Sequence, residues 1–404
     1  PVLVPTPGGD TAPDLNLKES GQASKGDPAT DGTHADGINQ SKVPGILTDE
    51  KSFTVRDVDA GDKLTASIVD AAGNPVSEVV TNSDTGVMTL VTEYGTLTVT
   101  PGNNEDGTVT YTYHFDLNDG AVNGLSQYDP DNPESDVNFI DMNFNVSISD
   151  GHGGKLDVPI GVHIEGTNDA PVVRYSTIHV KEDGVYNGNN ETTGDGKDNG
   201  GVLTQHDRLT ATGKVPFSDV DNEGDVTLSA TLKGIDANGE VHVNVSGSAV
   251  AGTQETVKVI GQQMDSDNPD IQILKTNYGE LRLNTVTGDY TFTLDTDKAQ
   301  HLAQGEKFQF SFTVTATDGH GAQGNHMIGV TVEGANDAPK LSFVDGNNEV
   351  TSDNVLDVYE KGVNSDTPTD SGKVKGDDAD RGASLKYSLV NENGKETDTI
   401  TTEY

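Results

Sequence analysis

Apolar positions alternate with polar ones through long stretches of the chain. In "VNFIDMNFNVSIS" the residues Ile140, Met142, Phe144, Val146 and Ile148 fall on one face. In "KFQFSFTVTAT" the same holds for Phe308, Phe310, Phe312, Val314 and Ala316. A period of two marks half-buried β-strands. Thr, Val and Phe fill these runs, and Gly, Asn and Asp interrupt them as turn residues do. No 3.6-residue period persists for ten positions. The segment "DKAQHLAQG", residues 297–305, has room for a turn or two of helix.

The alternating runs recur at a fixed distance. "EGTNDAPVV" at 165–173 returns as "EGANDAPKL" at 333–341, and aligning on the proline gives Pro1, Pro171 and Pro339, spacings of 170 and 168 residues. Other markers keep the same order within each copy. A Glu opens it (Glu19, Glu182, Glu360), and an acidic pair follows (Asp57 and Asp59, Asp219 and Asp221, Asp378 and Asp380). "TEYGTLTV" then matches "TNYGELRL", and "SISDGHGG" (Asp150) matches "TATDGHGA" (Asp318). Repeats of this length indicate a tandem array. The expected domains are residues 1–170, 171–338 and the front half of a third repeat, 339–404, which stops at Tyr404. Each full unit carries about seven strands without a βαβ pattern, the signature of an antiparallel Ig-like β-sandwich. The chain is therefore expected to be all-β, with sandwiches in tandem, end to end.

Composition narrows the function. Of 404 residues 32% are hydrophobic and 5% aromatic, with neither Cys nor Trp. The absence of Cys excludes disulfides, thiolate metal sites and cysteine nucleophiles. The net charge is −41, from 66 acidic and 25 basic residues, which repels nucleic acid and anionic membranes. No run of 18 apolar residues exists and no signal peptide opens the chain, so it reads as an interior piece of a longer protein. The hydrolase, metalloprotease and nucleotide-binding motifs are missing, and no His is paired with a nucleophile, so an enzyme is not expected.

The recurring acids are the candidate chemistry. Any one "DVD" or "DGHG" is an ordinary turn. Asp150 and Asp318, however, continue the inward register of the strands before them, which places them at a strand end. Acids gathered there repel one another unless a cation lies between them. Ca²⁺ takes six to eight oxygens in irregular geometry, whereas Mg²⁺ demands a stricter octahedron. The loops 128–136 and 264–270 are weaker acidic candidates without the Gly and Glu of an EF-hand, and His152 and His320 lack a second His nearby for a transition metal.

The order Glu, DxD, "TGxY", "LDTD", "ATDGHG", "NDAP" resembles the VCBS-type repeats of giant bacterial RTX adhesins, which are cadherin-like extender modules. The likeness spans both full units and the front of the third. It implies interdomain calcium sites. One would join Glu19, Asp116, Asn168 and Asp169 to Asp219, Asp221 and Asp318. A second would join Glu182, Asp295, Asp297, Asn336 and Asp337 to Asp378 and Asp380. Asp57, Asp59 and Asp150 would serve a junction with a preceding unit. Unit one reads "FDLND" where unit two reads "LDTD", so Asn118 stands where Asp297 does.

The resemblance also implies a function. The chain would be a spacer of a bacterial surface adhesin, stiffened by Ca²⁺, exported by type I secretion and supporting adhesion and biofilm formation. It is expected to be monomeric, extracellular and not inserted in a membrane, with neighbouring repeats as partners and any host or biofilm ligand bound by other domains. One rival is a module that itself binds a carbohydrate or peptide through insertions at 184–201 and 251–275. Another is an accessory region of a secreted calcium-dependent enzyme.

Overall fold

The computed structural model describes residues 1–5, 12–24, 40–59, 62–102, 107–126, 138–182, 209–221, 226–337, 339–344, 371–390 and 395–397. The loops at 128–136 and 184–201, Glu360 and Tyr404 lie outside the described residues. The chain forms two compact units. One comprises Pro1–Arg174, Pro216–Leu228 and Thr315–His326; the other comprises Tyr175–Val215, Ser229–Val314 and Met327–Tyr404.

The first unit is built from β1 (Val2–Val4), β2 (Leu15–Lys18), β3 (Gly21–Ser24), β4 (Gln40–Val43), β5 (Thr48–Arg56), β6 (Thr65–Asp70), β7 (Val79–Thr81), β8 (Met88–Val91), β9 (Gly95–Pro101), β10 (Thr108–Leu117), β11 (Phe139–Ser149) and β12 (Lys155–Glu165). These make a six-stranded sheet, β1-β5-β10-β9-β8-β7, and a four-stranded sheet, β2-β12-β11-β6. Phe53, Leu97, Tyr111, Tyr113 and Phe115 from the first sheet and Leu15, Ile68, Val146, Ile148 and Ile160 from the second share one buried core. Alternation dictates this packing, since β10 reads buried at every second residue from Val109 to Leu117. A short β13 (Val172–Val173) follows and pairs with Phe217–Ser218.

Further along come β14 (Ser176–Lys181), β15 (Thr210–Lys214), β16 (Phe217–Ser218), β17 (Thr227–Leu232), β18 (Glu240–Asn244), β19 (Gln254–Met264), β20 (Ile271–Thr276), β21 (Gly279–Asn284), β22 (Asp289–Leu294), α1 (Thr296–Ala299), β23 (Lys307–Thr317) and β24 (Gln323–Glu333). The sandwich repeats as β15-β22-β21-β20-β19-β18 over β14-β24-β23-β17. Phe308, Phe310, Phe312, Val314 and Ala316 are all buried, on the face expected from the period of two. Phe292, Phe310 and Phe312 pack as an aromatic group, with Phe310 and Phe312 edge to face at 5.5 Å. The strand pairs β25 (Lys340–Val344) with β26 (Lys373–Asp377), and β27 (Leu389–Val390) with β28 (Glu396–Thr397), complete the described chain.

Two features depart from the sequence reading. One edge strand of each four-stranded sheet runs parallel to its neighbour: β2 beside β12 and β14 beside β24. The stretch 251–275 is no loop insertion. It is occupied by β19 and the start of β20, and β18 with β19 makes a hairpin through five paired positions, Glu240–Asn244 against Gln254–Lys258. The alternation there is masked because Glu255, Lys258 and Gln262 interrupt the apolar positions. The short helix expected within 297–305 is α1.

Candidate metal centres

Each recurring acid is first a turn residue. Asp150 Oδ1 accepts the backbone N–H of His152 (2.7 Å) and of Gly154 (2.9 Å). Asp318 Oδ1 accepts those of His320 and Ala322, both at 2.9 Å. Gly151, Gly153 and Gly321 supply the positive φ these turns need. In the DxD motifs the amide of the second Asp donates to Oδ1 of the first: Asp59 to Asp57 (2.9 Å), Asp221 to Asp219 (3.1 Å) and Asp380 to Asp378 (3.0 Å). The turns engage one oxygen of each carboxylate, so the turn reading and the ligand reading are compatible.

In the first unit these turns meet Glu19, which follows β2 and is fully buried. Glu19 Oε2 accepts the N–H of Thr167 (3.2 Å), and the Thr167 hydroxyl donates to the Glu19 carbonyl (3.0 Å). Two residues on, the Asp169 amide donates to Asp221 Oδ2 (2.8 Å), and Asn168 Nδ2 donates to Asp318 Oδ2 (3.0 Å). The Ser20 amide donates to Asp119 Oδ1 (2.8 Å). Glu19, Asp119, Asn168, Asp169, Asp219, Asp221 and Asp318 thus converge at one end of this unit. Glu19, Asp169, Asp221 and Asp318 are each 7% exposed or less.

Such a cluster is under electrostatic stress. Burial, reinforced by the charges of Asp169, Asp221 and Asp119 against the help of the Thr167 N–H, pushes the Glu19 carboxyl up to about 9. Glu19 Oε1 and Asn168 Oδ1 are buried and accept no hydrogen bond from the protein. Buried acceptors without donors are costly. The donor set is all oxygen, carboxylate and amide, which suits Ca²⁺ and does not suit zinc, with its nitrogen and sulfur preference.

The second unit repeats the arrangement. Glu182 is fully buried and its Oε1 accepts the N–H of Ala335 (2.9 Å). The Asp337 amide donates to Asp380 Oδ2 (3.1 Å), and Asn336 Nδ2 donates to the Asp337 carbonyl (3.0 Å). Burial, with the charges of Asp337, Asp378 and Glu306, lifts Asp380 to about 6 against the Asp337 N–H.

A third group gathers at the other expected place. Asp57, Asp59 and Asp62 present ligand oxygens within 4.8 Å of one another. The N–H of His152 holds Asp150 below the usual carboxylate range, and the nearby Asp57 charge opposes it. Asp57 is itself lowered, chiefly by the Asp59 N–H.

Three expected residues are placed elsewhere. Asp116 sits in β10 between the buried Phe115 and Leu117, faces outward and meets His114 Nε2 at 3.3 Å. The backbone explains the slip: the Asn118 amide donates to Tyr94 O as the Asp295 amide donates to Tyr278 O, so Asn118 is the counterpart of Asp295. The acid that reaches the first site is Asp119, three residues beyond Asp116. Asp295 and Asp297 flank Thr296 at the exposed start of α1. Beside the second site lies Glu306, 2% exposed, paired with Arg381 and absent from the sequence expectation.

Two of the minor candidates have partners among the described residues. At 264–270 the Asp267 amide donates to Asp265 Oδ1 (3.0 Å), and Arg282 pairs with Asp265 Oδ2. His152 Nδ1 lies 3.3 Å from Asp62.

No protein-family model and no curated protein matches the chain. Among solved structures, Protocadherin Gamma B2 extracellular cadherin domains 1–5 align at TM-score 0.31 and 15% identity, covering 92% of this chain and 46% of that one. Mouse Cadherin-23 EC22-24 aligns at TM-score 0.29 and 13% identity over 84% of this chain and 69% of that one. Human CDH23 EC21-23 gives 0.30 and 14%, over 94% and 89%. This chain spans less than half the length of the first of these. The tandem sandwiches and the acid clusters stand on this chain's own geometry.

Proposed function

We propose that this chain is a calcium-stiffened extender region of a bacterial cell-surface adhesin resembling the RTX type, exported to the extracellular face and supporting adhesion and biofilm formation. The observation that carries the reading is the buried Glu19 among Asp119, Asp169 and Asp221, with the same backbone-to-carboxylate bonds rebuilt one repeat later around Glu182, Asp337 and Asp380. Glu19, Asp119, Asn168, Asp169, Asp219, Asp221 and Asp318 would hold the ion in the first unit. Glu182, Asn336, Asp337, Asp378 and Asp380 would do so in the second. Bound Ca²⁺ neutralises the cluster and fixes the segments carrying Asp219, Asp221 and Asp318 to the end of the first sandwich. The ion binds the ordered arrangement only, so it shifts the population toward it. The partners are then the neighbouring repeats, and adhesion to a surface belongs to other domains. The rival of a ligand-binding insertion loses one of its two platforms, since β19 and β20 take up most of 251–275.

Isothermal titration of the 404-residue chain tests the reading. CaCl₂ should give saturable heat that the Asp219→Ala, Asp221→Ala double variant reduces. An equal response to MgCl₂ at matched ionic strength, or no heat at all, would refute it.

A further inference from the structure

The second unit contains a cationic group that the metal reading does not use. Arg381 follows Asp380 directly, and its guanidinium meets two buried carboxylates: Nη1 lies 3.1 Å from Glu306 Oε2, and Nη2 pairs with Glu255 Oε1. Glu255 is 7% exposed and Glu306 2%. Glu255 is held in place from two further sides. His301 Nε2 lies 3.0 Å from Oε1, and the Tyr278 hydroxyl donates to Oε2. The Arg381 amide also donates to the His301 carbonyl at 3.1 Å. The guanidinium is thus fixed through both its side chain and its backbone.

Glu255 reaches this position on the β18–β19 hairpin. The hairpin is tied to the β20–β21 turn by Asn277, whose Nδ2 donates to Thr256 O (2.9 Å) and whose Oδ1 accepts the Lys258 N–H (2.9 Å). Among the described residues of the first unit no strand pair takes its place: the strand next to β8 there is β7, only three residues long. The first unit also carries Asn138 where the second carries Glu306. Gly166 N donates to Asn138 O as Gly334 N donates to Glu306 O, both at 2.9 Å.

We infer that the β18–β19 hairpin is a metal-independent latch, whose Glu255, with Glu306, grips Arg381 and so holds the segment 373–383 on the second unit. The hairpin's purpose is this intramolecular grip and not the capture of an outside ligand. The guanidinium suits the role because it is planar, always charged and able to serve two carboxylates at once. It ties the segment that carries Asp380 to Glu255 and Glu306 without an ion, so residues 373–383 keep order when divalent cations are scarce. The corresponding acids of the first unit depend on the ion. The pairing of Glu255 with His301, Tyr278 and Arg381 holds its carboxyl down at about 2 against the effect of burial.

Amide hydrogen exchange on the full 404-residue chain tests the latch, with and without chelator. In the wild-type chain with chelator, residues 373–383 should stay protected while 216–221 lose protection. Arg381→Ala and Glu255→Gln should each speed exchange at 373–383 by roughly 100-fold, as breaking a buried ion pair implies. Arg381→Lys, which keeps the charge and loses the two-pronged geometry, should fall between. Protection at Phe308–Phe312 reports whether a variant still folds, and Glu255→Gln preserves side-chain size if Arg381→Ala does not. Exchange at 373–383 as fast as at 216–221 in chelated wild type, or unaffected by both substitutions, would overturn the latch. If Ca²⁺ makes no difference at 216–221, the calcium reading fails and the latch is still judged by its own variants.

Discussion

The backbone amide of Asp169 donates to the carboxylate of Asp221 across 52 residues of chain, at 2.8 Å. Asp337 and Asp380 make the same bond at 3.1 Å in the second unit. This bond explains why the NDAP segment and the DxD motif recur together. The amide of the Asp in one organises the carboxylate of the other, and both acids end up in one small volume.

Glu19→Gln should change sign with calcium. In chelator at neutral pH Glu19 must take up a proton to be buried among Asp119, Asp169 and Asp221, a cost that Gln avoids, and the first unit should gain about 1 kcal/mol, in line with the usual cost of a poorly satisfied buried polar group. In saturating Ca²⁺ it removes a ligand and should destabilise. Urea unfolding in both conditions checks this; destabilisation in both would refute the stressed-cluster account.

The metal-free chain should also be stabilised by acid. The folded value of Glu19, about 9, stands above its ordinary 4.5. Its stabilising contribution is therefore complete below pH 4.5 and is lost as pH rises towards 9. Chelated melting curves across that interval should fall with pH in wild type and flatten in Glu19→Gln. Glu255 behaves oppositely: its contribution is present above 4.5 and is lost as pH falls towards 2.

Asp119→Asn and Asp116→Asn should separate cleanly. Asp119 is bonded to Ser20 beside Glu19, whereas Asp116 faces solvent. The first should weaken calcium binding about tenfold, a loss of about 1.4 kcal/mol, and the second should leave it unchanged. Calcium titration of the two variants distinguishes them; equal effects would mean that the strand register is wrong.

The Gly of the EGxNDAP string is there for contact. A Cβ on Gly166 would lie 2.0 Å from the Ser126 carbonyl oxygen, and one on Gly334 would lie 2.4 Å from that of Ala303. Backbone cannot yield as a flexible side chain does. Gly166→Ala and Gly334→Ala should each cost about 1–3 kcal/mol, read from denaturant midpoints. Unchanged midpoints would count against this packing.

Much of this was legible in the sequence, for identifiable reasons. The inner faces of β11 and β23 follow from a strict period of two, and the acids stand out because two copies of each motif can be compared. Matching letters between the two copies points to Asp116, whereas the alternation of Phe115 and Leu117 turns it outward. Glu306 had no repeat to flag it, since Asn138 holds its place. Glu255 lies in a hairpin whose polar interruptions look like a loop, and only the fold brings it to Arg381, 126 positions away.

The parallel pairing of β2 with β12, and of β14 with β24, bears on how the chain carries a pull. A tug on the two ends of either sandwich draws these neighbours in opposite directions along their length. The ladder is then loaded in shear, and its hydrogen bonds must yield together, whereas a hairpin opens one rung at a time. Four register positions join β2 to β12, and six join β14 to β24. Under rising tension the first sandwich should therefore give way before the second, letting out slack while the longer clamp still holds.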